Sequence, residues 1–230
     1  LSSNVVSLQD VLTDKKSRGI FGEVQLYQIL ASVFGEKNDK LYQKQYKLSN
    51  GTIVDSIIFT PEPLGNIAVD SKFPLENYRK MYNNELNQIE RESARKDFVN
   101  DLKKHIDAIS SKYIIKNETS EQAVLFLPAE AIFAEINAYH TDIIEYANKK
   151  NVRIASPTTL ISVLTVIQVI MTNMERDKYA SVIQQELEKL NIEFGRYQTR
   201  WNSLQKDIEK VSKDVKDITT TSNKISKRFT

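Results

Sequence analysis

Four charged residues in the amino-terminal third of the chain have side chains suited to metal-assisted chemistry on phosphate esters. They are Glu23, Asp55, Asp70 and Lys72. Asp70 and Lys72 are two residues apart, so on a β-strand both side chains leave the same face of the sheet. Asp55 can join that face from a neighbouring strand, and Glu23 can add a third carboxylate if its helix packs over the strands. The pattern predicts a cage of carboxylate oxygens with an ammonium group beside it.

A cage of this kind predicts a divalent metal ion and phosphodiester cleavage. Mg²⁺ and Mn²⁺ prefer carboxylate oxygens and keep several waters, one of which can attack a phosphodiester. We expect Asp55 and Asp70 to be metal ligands, with Glu23 as a supporting ligand. Lys72 would orient or activate the water and offset charge on the phosphate. The spacing leaves a plainer alternative open, since Asp70 and Lys72 also suit the solvent-exposed end of an edge strand.

Two further side chains could contact a phosphate near this cage. Arg18 lies just before the first predicted helix, where it could bind a phosphate together with backbone N–H groups or simply pair with an acid. Gln45 falls on the first predicted strand and could face the same site. The two histidines, His105 and His140, have no partners at metal-ligand spacing and are predicted to be surface or packing residues.

Short apolar patterns predict the elements that must position these residues. Apolar residues recur at steps of three and four from residue 18 to residue 34, and Gly35 follows, which predicts an amphipathic helix. Residues 41–48, 52–60 and 66–73 are rich in β-branched and aromatic side chains and are separated by turn sequences. We therefore expect three consecutive antiparallel strands.

The following stretch adds alternating helices and strands. A polar helix is predicted from about residue 76 to residue 112, lying across the sheet. Residues 122–127 form an apolar run that suits a strand buried on both faces. A helix at 129–149, a short strand at 151–155 and a helix at 158–174 complete a mixed α/β core of about 155 residues.

The carboxyl-terminal part shows a long heptad pattern. From Ala180 to Phe229 the apolar positions alternate steps of three and four residues, which predicts a coiled coil or a long helical hairpin arm. Alternatively, this helix packs back on its own domain. We divide the chain into a lead-in helix or linker at 1–17, the core at 18–175 and a coiled-coil helix at 176–230. We expect a homo-oligomer that forms through this helix.

Composition excludes several classes of protein. A chain of 230 residues with 40% apolar and 27% charged residues is neither a disordered tail nor a mini-protein. A net charge of +2 means that nucleic-acid binding must rest on a local patch. The absence of cysteine excludes disulfides, thiolate zinc sites and cysteine nucleophiles. We see no apolar run of about 20 residues that would span a bilayer, and expect a cytoplasmic protein with no membrane contact in this chain. An anchor in a segment preceding Leu1 stays open.

Five separated motifs occur in a characteristic order along residues 15–205. They are Arg18-Gly-Ile-Phe-Gly-Glu23, Val69-Asp-Ser-Lys-Phe-Pro-Leu75, Tyr78, Phe126-Leu-Pro-Ala-Glu130 and Ser156-Pro-Thr-Thr-Leu160. In this order they resemble the RmuC family of bacterial DNA recombination proteins. The resemblance implies a restriction-endonuclease-like core of the PD-(D/E)xK type, flanking coiled-coil segments, and a nuclease role in restraining rearrangement at inverted repeats.

The resemblance also assigns residues to roles. Asp70 and Lys72 match the family's Asp-Ser-Lys, Asp55 matches the aspartate of its Pro-Asp, and Glu23 matches its Gly-Glu. The chain has Ile53-Val54 where the family usually has Arg-Pro, so a rigid turn and a cation that could contact phosphate are missing.

The implied function is that of a DNA recombination protein with a Mg²⁺- or Mn²⁺-dependent deoxyribonuclease core and DNA as its partner. One alternative is a non-catalytic protein that binds DNA structures, or acts as a scaffold, and self-associates through its coiled coil. A third hypothesis is a structural coiled-coil protein capped by the α/β part.

Overall fold

The computed structural model describes residues 14–36 and 38–227. Most of the predicted lead-in segment, and the last three residues of the predicted coiled coil, therefore lie outside the described residues. The chain divides into two units, Leu1–Thr172 and Asn173–Thr230.

Helices and strands alternate through the first unit, and its last helix continues into the second unit. In chain order they are α1 (Lys15–Phe34), β1 (Tyr42–Lys47), β2 (Ile53–Ile58), β3 (Ile67–Ser71), α2 (Leu75–Met81), α3 (Gln88–Tyr113), β4 (Ala123–Phe126), α4 (Glu130–Tyr139), α5 (Thr141–Lys149), β5 (Val152–Ala155) and α6 (Pro157–Ser226).

Local sequence signals account for the bounds of α1. The Asp14 side chain accepts a hydrogen bond from the Ser17 backbone N–H at 2.9 Å and caps the amino terminus. Gly35 ends the helix at a φ of 91°, a conformation that glycine adopts without strain. Leu26 and Leu30, one turn apart, are fully buried. The predicted amphipathic helix is confirmed, and it begins three residues earlier than expected.

The five strands form one mixed sheet in the order β1-β2-β3-β4-β5. Strands β1, β2 and β3 pair antiparallel, which confirms the three consecutive antiparallel strands. Strand β4 pairs parallel with both β3 and β5. Its Leu125 and Phe126 are fully buried, as expected for a strand covered on both faces.

Apolar clusters cover both faces of the sheet. One cluster includes Phe98 and Ile106 of α3 and Ile136 of α4, and it packs on one face. The other includes Leu30 of α1 and Leu164 of α6, and it packs on the opposite face. The predicted mixed α/β fold, a central mixed sheet flanked by helices and followed by a long carboxyl-terminal helix, is confirmed.

Two predicted helices are each interrupted once. The expected helix at 76–112 is wrong as a single element, because Asn87 starts a new helix through a capping box with Glu90. The expected helix at 129–149 divides at His140, whose φ of −134° and ψ of 50° are not helical. By contrast, the helices predicted at 158–174 and from Ala180 are continuous, because residues 175–179 contain neither glycine nor proline.

The buried Glu135 carboxylate contacts a side chain at each interruption. The Tyr82 hydroxyl donates a 2.5 Å hydrogen bond to Glu135 Oε2, which raises the pKa of Tyr82 to about 12. His140 Nε2 lies 3.4 Å from Glu135 Oε1, and its ring packs against Phe98. His140 is therefore a packing residue, as predicted.

Helix α6 also has a property that bears on membranes. It contains an 18-residue stretch long and apolar enough to cross a bilayer, judged by length and composition. It is the one helix in the described part of the chain with this property. In the first unit Leu160, Leu164 and Ile167 of the same helix pack into the core. The expectation that no segment spans a bilayer stays a prediction.

Candidate functional site

The predicted residues on β2 and β3 lie next to each other in the sheet. The Ser71 backbone N–H donates a 2.7 Å hydrogen bond to Asp55 Oδ2. The ladder between these strands pairs Ser56 with Val69, so one further step in register places Asp55 opposite Asp70. The two carboxylates therefore come from adjacent positions on neighbouring strands.

Asp70 and Lys72 form a close ion pair. Lys72 Nζ lies 2.6 Å from Asp70 Oδ2, as expected for side chains that leave the same face. The Asp70 side chain is 3% exposed and that of Lys72 is 36% exposed, so the carboxylate is buried while the ammonium reaches solvent. Since β3 is an inner strand, the alternative of a solvent-exposed edge strand does not hold.

The Asp55 carboxyl group has a shifted pKa. Burial raises the pKa of Asp55 from 3.8 to about 6, and the charge of Asp70 acts in the same direction. The Ser71 N–H and the Lys72 ammonium oppose this rise by stabilising the ionised form. Two carboxylates held this close repel each other, and a bound cation would relieve that repulsion.

The third carboxylate, Glu23, belongs to a neighbouring polar group on α1 and β1. Gln45 Nε2 donates to Glu23 Oε2 at 3.0 Å and to the Tyr27 hydroxyl at 2.9 Å. Burial raises the pKa of Tyr27, and the charges of Glu23 and Asp55 raise it further. Tyr27 is therefore within electrostatic reach of both Glu23 and Asp55.

Gln45 owes its position to an irregular strand pairing. Its φ is 48°, a conformation that a residue other than glycine adopts at a cost of about 1–2 kcal/mol. The register pairs Lys44 with Ser56 and Tyr46 with Val54. Gln45 of β1 and Asp55 of β2 lie between these two pairs, so they are opposite each other. The distortion thus occurs directly opposite a predicted metal ligand, and the Gln45 amide is hydrogen-bonded to Glu23, another residue of the predicted site.

Asp55 and Asp70 fit a divalent metal ion, whereas the full cage is not assembled. Asp70 Oδ2 is buried, and the Lys72 ammonium lies 2.6 Å from it. Such an oxygen, beside a second carboxylate, suits Mg²⁺ or Mn²⁺. Across residues 14–36 and 38–227, no group of three or more His, Asp or Glu side chains is arranged to hold a metal ion. Glu23 is bonded to Gln45 and Tyr27 instead.

Arg18 lies inside the first turn of α1, because the helix begins at Lys15. Its guanidinium is 3.6 Å from the Glu76 carboxylate of α2. Of the two alternatives for Arg18, the pairing with an acid is therefore the one present in the structure.

Two residues of α3 also lie at the site and were missed by the sequence analysis. Burial raises the pKa of Tyr113, and the neighbouring Asp70 carboxylate raises it further. Burial lowers the pKa of His105, and the Lys72 ammonium lowers it further. His105 is half-buried and lies within electrostatic reach of the ion pair. Helical periodicity shows that His105, Ile109 and Tyr113 share a face, but not which strand they cover.

Comparison with known proteins gives the family. The family model of RmuC matches residues 1–230. The chain belongs to the RmuC family. A DNA recombination protein RmuC homolog of Xylella fastidiosa is 29% identical over 231 residues, covering 94% of this chain and 48% of that protein. The DNA recombination protein RmuC of Escherichia coli is 26% identical over 184 residues, covering 77% of this chain and 38% of that protein.

The chain spans about half the length of the curated relatives it matches. No solved structure matches it. The family is therefore established by sequence.

Several of the motifs that carry the family resemblance contact one another. A Cβ added at Gly22 would lie 2.5 Å from Ser71 Oγ and 3.0 Å from Pro128 Cγ, so three of the motifs touch at one point. A second contact joins the motif that ends at Glu130 to the motif that begins at Ser156. In this contact Glu130 Oε1 accepts a 2.7 Å hydrogen bond from the Thr158 backbone N–H. Glu130 thereby caps the amino terminus of α6, a role that the sequence analysis did not predict.

Replacement of Gly22 by alanine is expected to destabilise the fold by about 1–3 kcal/mol, because the added methyl group overlaps Ser71 Oγ. Gly19 is the matched control, since a Cβ there meets nothing within 4 Å and α1 gains about 0.5–1 kcal/mol from the substitution. Urea unfolding of the two variants measures the difference. Equal stability of both would contradict the close packing of α1 on β3.

Replacement of Asp55 by asparagine is expected to stabilise the metal-free protein above pH 6. The pKa of Asp55 is raised to about 6, so the folded state binds this proton more tightly than the unfolded state. Ionised Asp55 therefore costs stability, from near zero at pH 4 to about 1–3 kcal/mol at pH 8. Thermal melts in EDTA at pH 4, 6 and 8 test this. The exposed Asp142→Asn is the control, and a D55N variant less stable than wild type at pH 8 would contradict the prediction.

Proposed function

We propose that the chain carries the nuclease core of a DNA recombination protein and cleaves phosphodiester bonds with Mg²⁺ or Mn²⁺. The observation that carries the proposal is the buried Asp70 carboxylate on β3, which lies beside the Asp55 carboxyl group of β2 and contacts the Lys72 ammonium. The role in DNA recombination rests on the names of the curated relatives, which include the protein of Escherichia coli.

Each residue of the proposed site has a separate task. Asp55 and Asp70 hold the cation, and Glu23 supports it from α1 through the network that Gln45 organises. When bound, the metal supplies an activated water and positive charge at the phosphate. Lys72 has a partly exposed ammonium held by Asp70, so this group can also meet a phosphate oxygen or orient the attacking water.

Arg18 and Gln45 are the proposed phosphate contacts. Gln45 is exposed at the level of Asp55, where a nucleic-acid backbone could reach its amide. Arg18 would exchange its 3.6 Å contact with Glu76 for a phosphate oxygen. Because Ile53 and Val54 precede Asp55, no cation from β2 adds to these contacts.

The core is proposed to be of the restriction-endonuclease-like PD-(D/E)xK type. Its support is the order of parts: a helix with Glu23, then antiparallel strands carrying Asp55 and the Asp70-Ser-Lys72 sequence, then parallel β4. We propose branched or hairpin DNA, such as that formed by inverted repeats, as the substrate, met in the bacterial cytoplasm.

Cleavage of branched, hairpin and single-stranded DNA by the purified chain tests the proposal. We expect product with Mg²⁺ or Mn²⁺ and none in EDTA. Metal binding is measured separately by calorimetry without DNA. If neither metal binds and no substrate is cut while DNA is still retained, the alternative of a non-catalytic DNA-binding or scaffolding protein replaces the nuclease.

A further inference from the structure

The second unit presents a long apolar seam along α6. The seam consists of the alternating a and d heptad positions from Ala180 to Ile225, a length of about 67 Å. Its large side chains are exposed, with Leu187 at 59%, Phe194 at 63% and Trp201 at 55%. An apolar surface of this extent marks an interaction site in a protein in water.

Side-chain size changes along the seam. Its amino-terminal part is bulky and its carboxyl-terminal part is slim. The bulky half consists of Leu187, Leu190, Phe194, Tyr197 and Trp201, and the slim half consists of Leu204, Ile208, Val211, Val215, Ile218 and Ser222. In a parallel in-register pair, Phe194, Tyr197 and Trp201 would each face their own copy, giving three wide layers followed by narrow ones. Uneven layers of this kind pack poorly.

An antiparallel pair of copies equalises the layers. When the symmetry axis passes between Trp201 and Leu204, every aromatic residue of one copy faces an aliphatic residue of the other. The aromatic layers are then Phe194 with Val211, Tyr197 with Ile208, and Trp201 with Leu204. Large and small side chains alternate across the interface, which is the arrangement that fills a helical core.

The two flanks of the seam agree with this orientation. In an antiparallel pair e positions face e positions and g positions face g positions. The e row is uncharged throughout and can form side-chain hydrogen bonds with itself; it contains Gln184, Asn191, Gln198, Gln205, Ser212 and Thr219. On the g row, the same register brings Arg200 of each copy beside Asp207 of the other, so two ion pairs flank the central layer.

Two contacts between like charges oppose this register. Glu193 of each copy would lie near Asp214 of the other, and both are acidic. Glu193 already has a cation in its own helix, because Arg196 Nη1 lies 2.6 Å from its carboxylate. Repulsion between exposed, partly compensated carboxylates costs only a few tenths of a kcal/mol, much less than the mismatch of three aromatic layers.

We propose that α6 forms an antiparallel two-stranded coiled coil with a second copy of the chain, centred between Trp201 and Leu204. This inference goes beyond the proposed nuclease function and does not depend on it. The occupant of the seam is thus the same segment of another copy, with the bulky half of each helix on the slim half of its partner.

Single-cysteine variants of the full chain test the orientation, since the natural sequence contains no cysteine. Leu190 and Val215 face each other across copies in the proposed register. We expect Leu190→Cys alone and Val215→Cys alone to remain uncrosslinked under mild oxidation, and their mixture to form the mixed disulfide. A parallel pair gives the reverse result, with each variant linked to itself, and would overturn the proposal.

Sedimentation equilibrium of the unmodified chain tests the occupant. We expect a dimer at tens of micromolar. A monomer at that concentration would mean that another protein, or another part of a longer chain, covers the seam, and a trimer would exclude a two-stranded pair.

A charge swap gives an independent check. Arg200→Glu should weaken the dimer several-fold, and Arg200→Asp together with Asp207→Arg should restore it. Lys210→Glu, at an outward heptad position, is the control. No effect of Arg200→Glu would contradict the proposed register. DNA cleavage in the same variants separates a failure of this proposal from a failure of the nuclease proposal.

Discussion

Asp70→Asn is expected to lower metal-dependent DNA cleavage by about 10³-fold or more. The Asp70 carboxylate is 3% exposed, and the Lys72 ammonium lies 2.6 Å from its Oδ2. The neutral amide keeps the shape of the side chain but removes the charge that holds a divalent cation. A 10³-fold fall in rate corresponds to about 4 kcal/mol, which is the transition-state stabilisation that a bound metal ion would supply. Initial rates of cleavage at saturating Mn²⁺, together with calorimetric titration of Mn²⁺, measure the effect.

The control for Asp70→Asn is Asp107→Asn on α3. Asp107 pairs with Lys150 and accepts a hydrogen bond from Tyr146, away from β2 and β3. We expect this variant to cleave and to bind Mn²⁺ as the unmodified chain does. An Asp70→Asn protein that is folded and cuts DNA at an undiminished rate would remove Asp70 from the site.

Lys72→Met is expected to lower the cleavage rate by about 10²–10³-fold while leaving metal binding intact or tighter. The Lys72 ammonium lies 2.6 Å from Asp70 Oδ2, so it competes with a cation for that oxygen in the metal-free protein. Removing it frees the carboxylate for the metal but removes positive charge from the reacting phosphate. A loss of rate together with retained affinity is the signature of a group that acts in the transition state.

Lys72→Met is also expected to lower the stability of the metal-free protein. Without metal, Lys72→Met leaves Asp70 buried without its cation, which should cost about 1–3 kcal/mol after discounting for the exposure of Lys72. Mn²⁺ should restore the melting temperature. Lys80→Met is the control, because Lys80 pairs only with the exposed Glu76 one turn away. A Lys72→Met variant that loses stability equally with and without Mn²⁺ would show a purely structural lysine.

Periodicity alone was enough to place the central pair of the site. The two-residue spacing of Asp70 and Lys72 predicted a shared face, and their contact confirms it. The turn sequences around Asn50-Gly51 and Pro61 predicted the antiparallel order that brings Asp55 to the neighbouring strand. These are local signals, since a strand's pleat and a turn's conformation depend on residues close in sequence.

Contacts between segments that are distant in the sequence could not be predicted from local spacing. Tyr113 and His105 reach Asp70 and Lys72 only because α3 lies on the face of the sheet where those side chains emerge. The left-handed Gln45 opposite Asp55 was not visible either, because glutamine has no preference for that conformation. By contrast, the break at Asn87 could have been predicted from the sequence. Asn followed three residues later by Glu is the pattern of a capping box, which starts a helix.

The amino-acid sequence by itself determined the strands and most of the helices along the chain, the Asp70 and Lys72 pair, and the family. Each depends on short-range spacing or on residue identity, which the chain carries whether or not it is folded. Only the tertiary structure decided that Asp70 is buried on an inner strand, that Glu23 bonds to Gln45 and Tyr27, and that Arg18 pairs with Glu76. Burial and pairing depend on which distant segments pack together, and the raised pKa of Asp55 follows from that packing.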